Sequence, residues 1–578
     1  MNPSQFYYFF VLRKAFQQYG EGIEIKVTMK TLAELFFCTE RNAKLIISKL
    51  EEYGLLHFQP GRGRGNASML VFKTSLESCL LSQVQFLLSS NETGKAFEIV
   101  KEFGEGTCAE EYILNWTSNY FGYKQANEEG KELEILRFPI YRPITTHDPT
   151  RVVFDLDAHL ILQVYQPLVQ YDVQKGIFTG CLARAWEANH EKTEWLFFLH
   201  KGVKFHNGAE LTAEIVADSV SRLFDSPHRW LVADVVEAEV ISRYTIRFRL
   251  EKPNHLFLHF VSSTPMVIVE PDHFTGTGAF KLEKYHQDLC VLSAFEAHFQ
   301  PRPYFDRVEI IRISDEMKEW QLQQKLSLET GETEAAVEKK WDTQSSIFSG
   351  TNVLTVNTAK KGPLQNVSLR RYLSSVIDRD KLVTLGSPRL SPASGFQQDD
   401  MAPLEIEIPS QSDVIFSEEK LTLMTYKRHA DDAALLQSML QEHGINLAVE
   451  IVDWNEILTD SMVARADLLL FEATPNEGII SILDLILFEK GFIYPFLETS
   501  IKQELRNMID RIKSETSEDV RKELLKKLEM YLASEGVIIF LVHKMVEASY
   551  DKELEGVTFT SKMWVDFKNL WFKRIEQS

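Results

Sequence analysis

Arg41, Asn42 and Lys44 stand close together in one short stretch, and the run Gly-Arg-Gly-Arg-Gly-Asn follows at residues 61–66. These are side chains that read nucleic acid. A guanidinium can donate two parallel hydrogen bonds to guanine O6 and N7, a carboxamide pairs with adenine N6 and N7, and an ammonium neutralises phosphate. With Thr39, Glu40, Ser48, Lys49, Arg62, Arg64 and Asn66 they make the candidate DNA-binding set. Other chemistries have less support. There is no Gly-x-Ser-x-Gly, and Ser-Asn-Glu-Thr-Gly-Lys-Ala-Phe at 90–97 lacks the first glycine and the hydroxyl residue of a phosphate-binding loop. His190, His200 and His206 lie near one another without zinc-ligand spacing, and no carboxylate pair is singled out as acid and base. The reading is therefore not an enzyme, with no catalytic residue, metal or cofactor.

Side chains that enter a groove need a rigid helix behind them. Thr28 is placed to cap a helix that turns Leu32, Leu35 and Phe36 inward. Thr39 is placed to cap the next, which buries Ala43, Ile46, Ile47 and Leu50. Only Phe37 and Cys38 separate them, which forces a tight corner like that of a helix-turn-helix. Leu55 to Phe58 and Met69 to Phe72 read as a hairpin turning through Pro60–Gly65. An amphipathic helix from Gln5 to about Tyr19, carrying Phe6, Phe9, Phe10, Leu12 and Phe16, precedes the pair and is ended by Gly20 and Gly22, and residues 75 to 103 read as further helix. In a winged helix-turn-helix the helix from Thr39 lies in the major groove and the arginines of the hairpin tip reach phosphates or the minor groove. The same helix pair also suits a dimerisation or protein-binding module.

Charge is unevenly distributed. Residues 1–75 hold ten Lys/Arg against six Asp/Glu, while the whole chain of 578 residues carries −20. A basic end on an acidic bulk points to one part that meets an anion and another that does not. The length calls for several compact units, and 44% apolar with 25% charged residues is globular. Cys38, Cys79, Cys108, Cys181 and Cys290 are odd in number and far apart, against a disulfide framework. The apolar run at 6–12 is only seven residues, has no cation before it and is followed by Arg13 and Lys14, the wrong polarity for an export signal. No apolar run reaches about eighteen residues. A cytoplasmic protein with no membrane partner is expected.

Residues 1–115 resemble the N-terminal DNA-binding domain of the SgrR family of bacterial transcription regulators, most specifically in FFCTERNA at 36–43 and GRGRGN at 61–66. Further on, GCLARAWEANHEKTEWLFFLHKGVKFHNGAELTAEIVADSVSRL at 180–223 resembles the signature of family 5 solute-binding proteins, the oligopeptide- and nickel-binding components of ABC importers. Trp195, Lys201, Gly202, Val203, Phe205, His206, Asn207, Gly208, Leu211, Thr212 and Ala213 match that signature, with His200 at its usual Arg and Glu214 at its usual Asp. THDP at 146–149, VYQPLV at 164–169, GTGAFKL at 276–282, HFQPRPYFDRVEI at 298–310 and the stretch 354–383 resemble other family motifs in the same order. KGVKFHNG reads as a strand and turn whose Asn-Gly supplies positive φ, with Thr212 capping the next helix and His206 a turn residue.

The expected fold is multidomain: an α+β winged helix-turn-helix at 1–115, a linker at 116–132 centred on the polar stretch from Gly122, and a two-lobed α/β periplasmic-binding-protein-like clamshell of type II, family 5, at 133–578. Lobe I is expected at about 133–350 plus a C-terminal return, and lobe II at about 354–480. The resemblance implies a solute of peptide, sugar or sugar phosphate class between the lobes, lined by His147, Asp148, Tyr165, Gln166, Gly276, Thr277, Gly278, Ala279, Trp454 and Glu472. Peptide-binding members carry a Trp-Asp arrangement that the segment 464–483 lacks, with Glu472 as the possible substitute. The combined expectation is a ligand-responsive regulator whose partners are double-stranded DNA and a small solute. The rival is a cytoplasmic scavenger whose helix-turn-helix binds a protein. Neither fixes the oligomeric state.

Overall fold

The computed structural model describes residues 3–61, 67–90, 92–128, 130–140, 142–173, 175–271, 274–313, 326–327, 341–345, 350–385, 389–397, 419–475, 478–544, 547–551, 553–558 and 564–573. The chain divides into two compact units. The first comprises 1–122, 137–141 and 311–325, and the second the remainder.

In the first unit, α1 (Pro3–Ala15) is followed by β1 (Glu24–Val27), α2 (Met29–Leu35), α3 (Glu40–Glu52), β2 (Leu56–Gln59), β3 (Ser68–Phe72), α4 (Leu76–Ser89), α5 (Thr93–Phe103) and α6 (Cys108–Tyr120). The expected helix to Tyr19 stops at Ala15. Arg13 accounts for the early stop: its guanidinium donates to the Tyr19 carbonyl at 3.1 Å and to Glu21 at 2.7 Å while lying 4.5 Å over the Phe72 ring, so the chain is drawn back. The expected hairpin is present as β2 and β3, paired from Leu56↔Phe72 to Gln59↔Met69. Strand β1, which the sequence reading did not anticipate, adds antiparallel to β3 from Glu24↔Val71 to Val27↔Ser68, giving the order β1-β3-β2. Four residues, alternately exposed and buried, are too few for periodicity to reveal a strand. Phe9, Phe10, Ile47, Leu50, Leu70 and Phe72 share the core beneath this sheet.

Within the stretch 116–132, read as a linker, the described residues are mostly helix and strand. Helix α6 runs to Tyr120, and β4 (Gly122–Glu128) and β5 (Lys131–Ile140) are neighbours at one edge of a five-stranded sheet. Polar composition there reflects a solvent-facing edge, where Arg307 grips Glu128 by a two-pronged ion pair at 2.7 and 2.9 Å.

Among the described residues, three larger sheets organise the second unit. Beside β5 and β4 lie the strands Phe280–His286, Leu289–Ala294 and Arg307–Arg312. A four-stranded antiparallel sheet is ordered Val235–Ser242, Thr245–Leu250, Glu194–Leu199, Ala183–Ala188. The third has six strands, in the order Arg389–Pro392, Ile538–Lys544, Gly350–Val356, Leu468–Ala473, Leu421–Thr425, Leu447–Ile451. Its last three are parallel, with helix Ala430–Glu442 as the crossover between two of them. Gly350–Val356 and Ile538–Lys544 are buried along their whole length, the pattern of strands covered on both faces. The second lobe thus begins at Gly350 and takes a strand from the C-terminal segment, beyond the 354–480 expected.

Candidate nucleic-acid interface and interlobe cavity

Side-chain caps set the helix-turn-helix corner. Thr28 Oγ1 accepts from the Thr31 amide at 3.1 Å, and Thr39 Oγ1 from the Asn42 amide at 3.3 Å, so each threonine starts a helix as the sequence requires. Between them Phe37 takes a left-handed φ of 50° and the Cys38 amide bonds the Ala33 carbonyl at 3.0 Å, closing the turn in two residues. A left-handed backbone costs a non-glycine residue roughly 1–2 kcal/mol. Phe37 recovers none of this by burial, being 98% exposed.

Helix α3 divides by face. Ala43, Ile47 and Leu50 are buried, whereas Thr39, Glu40, Arg41, Asn42, Lys44, Ser48 and Lys49 are all exposed. Ile46 is half-buried, as is Leu35 on α2, where Ala33 takes an inward place the sequence reading did not give it. Among the described residues no ion pair engages Arg41, Lys44 or Lys49. Leu45, 57% exposed amid these polar groups, was missed because an apolar residue on a helix is ordinarily assigned to the core. Arg62, Arg64 and Asn66 lie outside the described residues. The base of their hairpin is closed by the Gly61 amide donating to Ser68 Oγ at 3.2 Å.

The ten residues expected to line the solute site separate into two groups. His147, Asp148, Tyr165, Gln166 and Gly276–Ala279 form a packed joint. Asp148 accepts from the Thr150 amide at 3.0 Å and from Arg222 at 2.8 Å. Gln166 accepts from Thr277 Oγ1 at 3.1 Å. The Tyr165 hydroxyl donates to the Phe274 carbonyl, and burial pushes its pKa up. The His147 ring lies tilted 4.4 Å from that of Tyr285, and its pKa is shifted down by the same desolvation. A Cβ on Gly276 would stand 2.0 Å from the Val164 carbonyl oxygen, and on Gly278 2.4 Å from that of Gln163. The gap beside His147 and Tyr165 is only about 10 Å³, at the lower limit for one water and far below a solute site.

His206 belongs to this joint as the turn residue expected. Its Nε2 lies 3.0 Å from the Gly278 carbonyl and its amide donates to Gly276, and burial holds its pKa down at about 4. Gly202 and Gly208 supply the positive φ values, 78° and 89°. Thr212 occupies the cap position of Ala213–Ser221 without a side-chain cap bond.

Trp454 and Glu472 lie elsewhere. Trp454 meets Phe154 edge-on at 5.2 Å and Tyr426 at 4.7 Å. The Glu472 side chain is buried, with Arg428 at 3.5 Å and Lys544 at 3.8 Å, so its charge is matched within the fold. A separate cavity of about 100 Å³ is lined by Asp155, Trp230, Thr474, Asp484, Phe488 and Phe492, among others, and by none of the ten expected residues. Asp155 begins helix Asp155–Val164, whereas Thr474 directly follows the strand Leu468–Ala473 of the six-stranded sheet and Asp484 sits on helix Ile479–Leu487 beyond it. The cavity therefore lies between the lobes. The Thr474 hydroxyl donates across it to Asp155, and Trp230 Nε1 donates to Asp484 at 3.2 Å.

Among the described residues no helix is long and apolar enough to cross a membrane, and no group of three His, Cys, Asp or Glu could hold a metal ion.

The fold defines a winged helix-turn-helix joined to a solute-binding clamshell, and comparison with known proteins gives the same division. Residues 6–113 match the sugar transport-related sRNA regulator N-terminal family, and residues 178–412 match the middle region of bacterial extracellular solute-binding proteins, family 5. The chain thus carries an SgrR-type N-terminal domain and a family 5 solute-binding domain. It is 28% identical to the uncharacterized protein YhjP of Bacillus subtilis, over 98% of this chain and 99% of that one. It is 24% identical to the HTH-type transcriptional regulator SgrR of Yersinia enterocolitica, over 95% and 96%. A dipeptide-binding protein from Pseudoalteromonas in complex with Met-Leu shares the clamshell fold, with a TM-score of 0.68 at 16% identity, over 76% of this chain and all of that one.

Proposed function

We propose that this chain is a DNA-binding transcriptional regulator in which a small solute held between the clamshell lobes changes DNA affinity. The observation that carries the reading is helix α3, which turns Arg41, Asn42, Lys44 and Lys49 to solvent with no ion-pair partner for its cations among the described residues, in a domain of the SgrR type. Cations left unpaired on one helix face suit phosphates, and Arg and Asn near its start suit base edges. Relatives named as transcriptional regulators along nearly the whole chain support the DNA assignment, and the family 5 fold supports the solute. Coupling of the two would require the solute to favour one DNA-binding state, typically by about 1–3 kcal/mol.

The test is selection of sheared genomic DNA on the full chain near physiological salt, with and without a metabolite extract. Enrichment of a few promoter regions that changes with extract is expected. Weak, salt-labile binding with no enrichment under either condition would refute the regulator and favour the scavenger.

A further inference from the structure

We infer that the corner of the helix-turn-helix carries an interface between two copies of this chain, in which Phe37 of each copy enters an aromatic groove beside Phe37 of the other. Phe37 is the knob. It holds a left-handed φ of 50° and is 98% exposed, so its ring gains nothing from the fold that strains its backbone. Glycine or asparagine would take this conformation at less cost, and a strained backbone that persists without local reward points to a use outside the monomer. The groove starts at its side. Tyr8 and Val11 of α1, Leu35 and Phe36 at the end of α2, and Phe103 at the end of α5 line a cavity of about 340 Å³, with Phe37 on its rim. Tyr8 meets Phe36 edge-on at 5.2 Å and Tyr7 meets Phe103 edge-on at 5.5 Å, so the walls are braced before anything enters. The volume lies within the range of pockets that take a ring.

A knob and a hole on one patch suit a twofold interface, because each copy then supplies what the other lacks. Charge fits the same pairing. Lys14 and Glu102 share the exposed rim: Lys14 Nζ donates to the Glu102 carbonyl at 2.8 Å, and Glu102 Oε1 accepts from the Tyr7 hydroxyl at 2.9 Å. With one cation and one carboxylate there, a second copy brings the opposite sign to each, and the patch meets its own image without net repulsion. DNA fits it less well, since a phosphate would face the Glu102 carboxylate and an aromatic floor. Phe37 and Tyr7, which is 41% exposed, form an aromatic centre of the kind on which interface energy concentrates. A contact resting on two knobs and two grooves is a weak association, in the micromolar range.

The experiment is sedimentation velocity of the full chain across the micromolar range, with circular dichroism to show that each variant is folded. The wild type shifts from monomer towards dimer as its concentration rises. F37N withdraws the knob but keeps a residue that accepts positive φ, and it raises the dimer dissociation constant about hundredfold, tenfold for each of the two rings removed. A15W acts from the other side. Ala15 is exposed on the groove wall at the end of α1, so a tryptophan there fills the hole, leaves Phe37 in place and weakens the dimer to the same degree. An equimolar mixture of the two variants shows whether knob enters hole, because a mixed pair keeps one of the two contacts and associates about tenfold more tightly than either variant alone. A wild type that stays monomeric throughout, a dimer that neither variant weakens, or a mixture no tighter than its components overturns the inference. So does weaker DNA binding by F37N with association unchanged, which would assign Phe37 to the DNA surface.

Discussion

Replacing Arg41, Lys44 and Lys49 together by alanine removes the cations exposed on helix α3 while leaving the buried set Ala43, Ile47 and Leu50 untouched. Each phosphate neutralised on B-DNA contributes about 0.9 to the slope of log affinity against log salt, so three contacts contribute about 2.7. Between 50 and 200 mM salt that slope alone amounts to about a fortyfold change in affinity. The triple variant is therefore expected to bind duplex DNA more weakly at low salt and to lose about that much of the wild type's salt sensitivity. Fluorescence anisotropy on a labelled genomic fragment across this salt range measures it, with circular dichroism to show that the helix persists. E40A, which removes an exposed anion from the first turn of the same helix, should tighten binding slightly or leave it unchanged. A triple variant with the full wild-type slope would refute the placement of α3 against DNA and leave the hairpin arginines, or another surface, to account for binding.

Leu45, exposed between Arg41 and Lys49, is positioned to meet thymine methyl groups. Replacing thymine by uracil in a bound fragment should cost the wild type about fourfold in affinity per methyl contact and cost L45A nothing, and equal losses in both would exclude the contact. G278A should destabilise the clamshell by about 1–3 kcal/mol in a urea titration, because the added Cβ meets the Gln163 carbonyl at 2.4 Å and backbone cannot step aside; no loss would mean the joint is looser than described. Burial holds His206 and His429 down at about 4, so both are neutral in the fold while the unfolded chain takes up a proton near pH 6.5. Their contribution is complete above pH 6.5 and is lost as the pH falls towards 4, by up to about 3 kcal/mol for each. H429Q should lose less stability than the wild type between pH 7.5 and pH 5, and an identical loss would assign the acid sensitivity elsewhere.

What the sequence disclosed was decided by how strongly a local rule acts. The helix-turn-helix was legible because threonine caps and a two-residue corner are short-range devices, and both are in place at Thr28 and Thr39. Strand β1 was not, because four residues of Glu-Ile-Lys-Val become a strand only through pairing with β3, more than forty positions away. The polar stretch from Gly122 to Glu132 was read as a linker for a related reason: composition reports solvent exposure, and an exposed edge strand has the same composition as a loop. The end of α1 at Ala15 depends on Arg13 reaching Tyr19 and Glu21, a tertiary choice that helix periodicity does not encode.

The solute site shows the same limit more sharply. The motifs that carried the family 5 resemblance, from Tyr165–Gln166 to Gly276–Ala279 and His206, are a joint in which glycines admit a backbone that any Cβ would exclude and a half-buried histidine spans to a carbonyl. Such close approaches restrict residue type position by position, which makes them easy to see in a sequence. The cavity residues are restricted only by facing one another. Asp155, Trp230, Thr474 and Asp484 are scattered over more than three hundred positions, no two on the same element, and nothing in their spacing connects them until the chain is folded. Glu472, near the place of an expected acid, is paired with Arg428 and Lys544, and the carboxylates that line the interlobe cavity are Asp155 and Asp484. A charge counts towards a binding site according to what surrounds it, and only the folded chain brings those surroundings together.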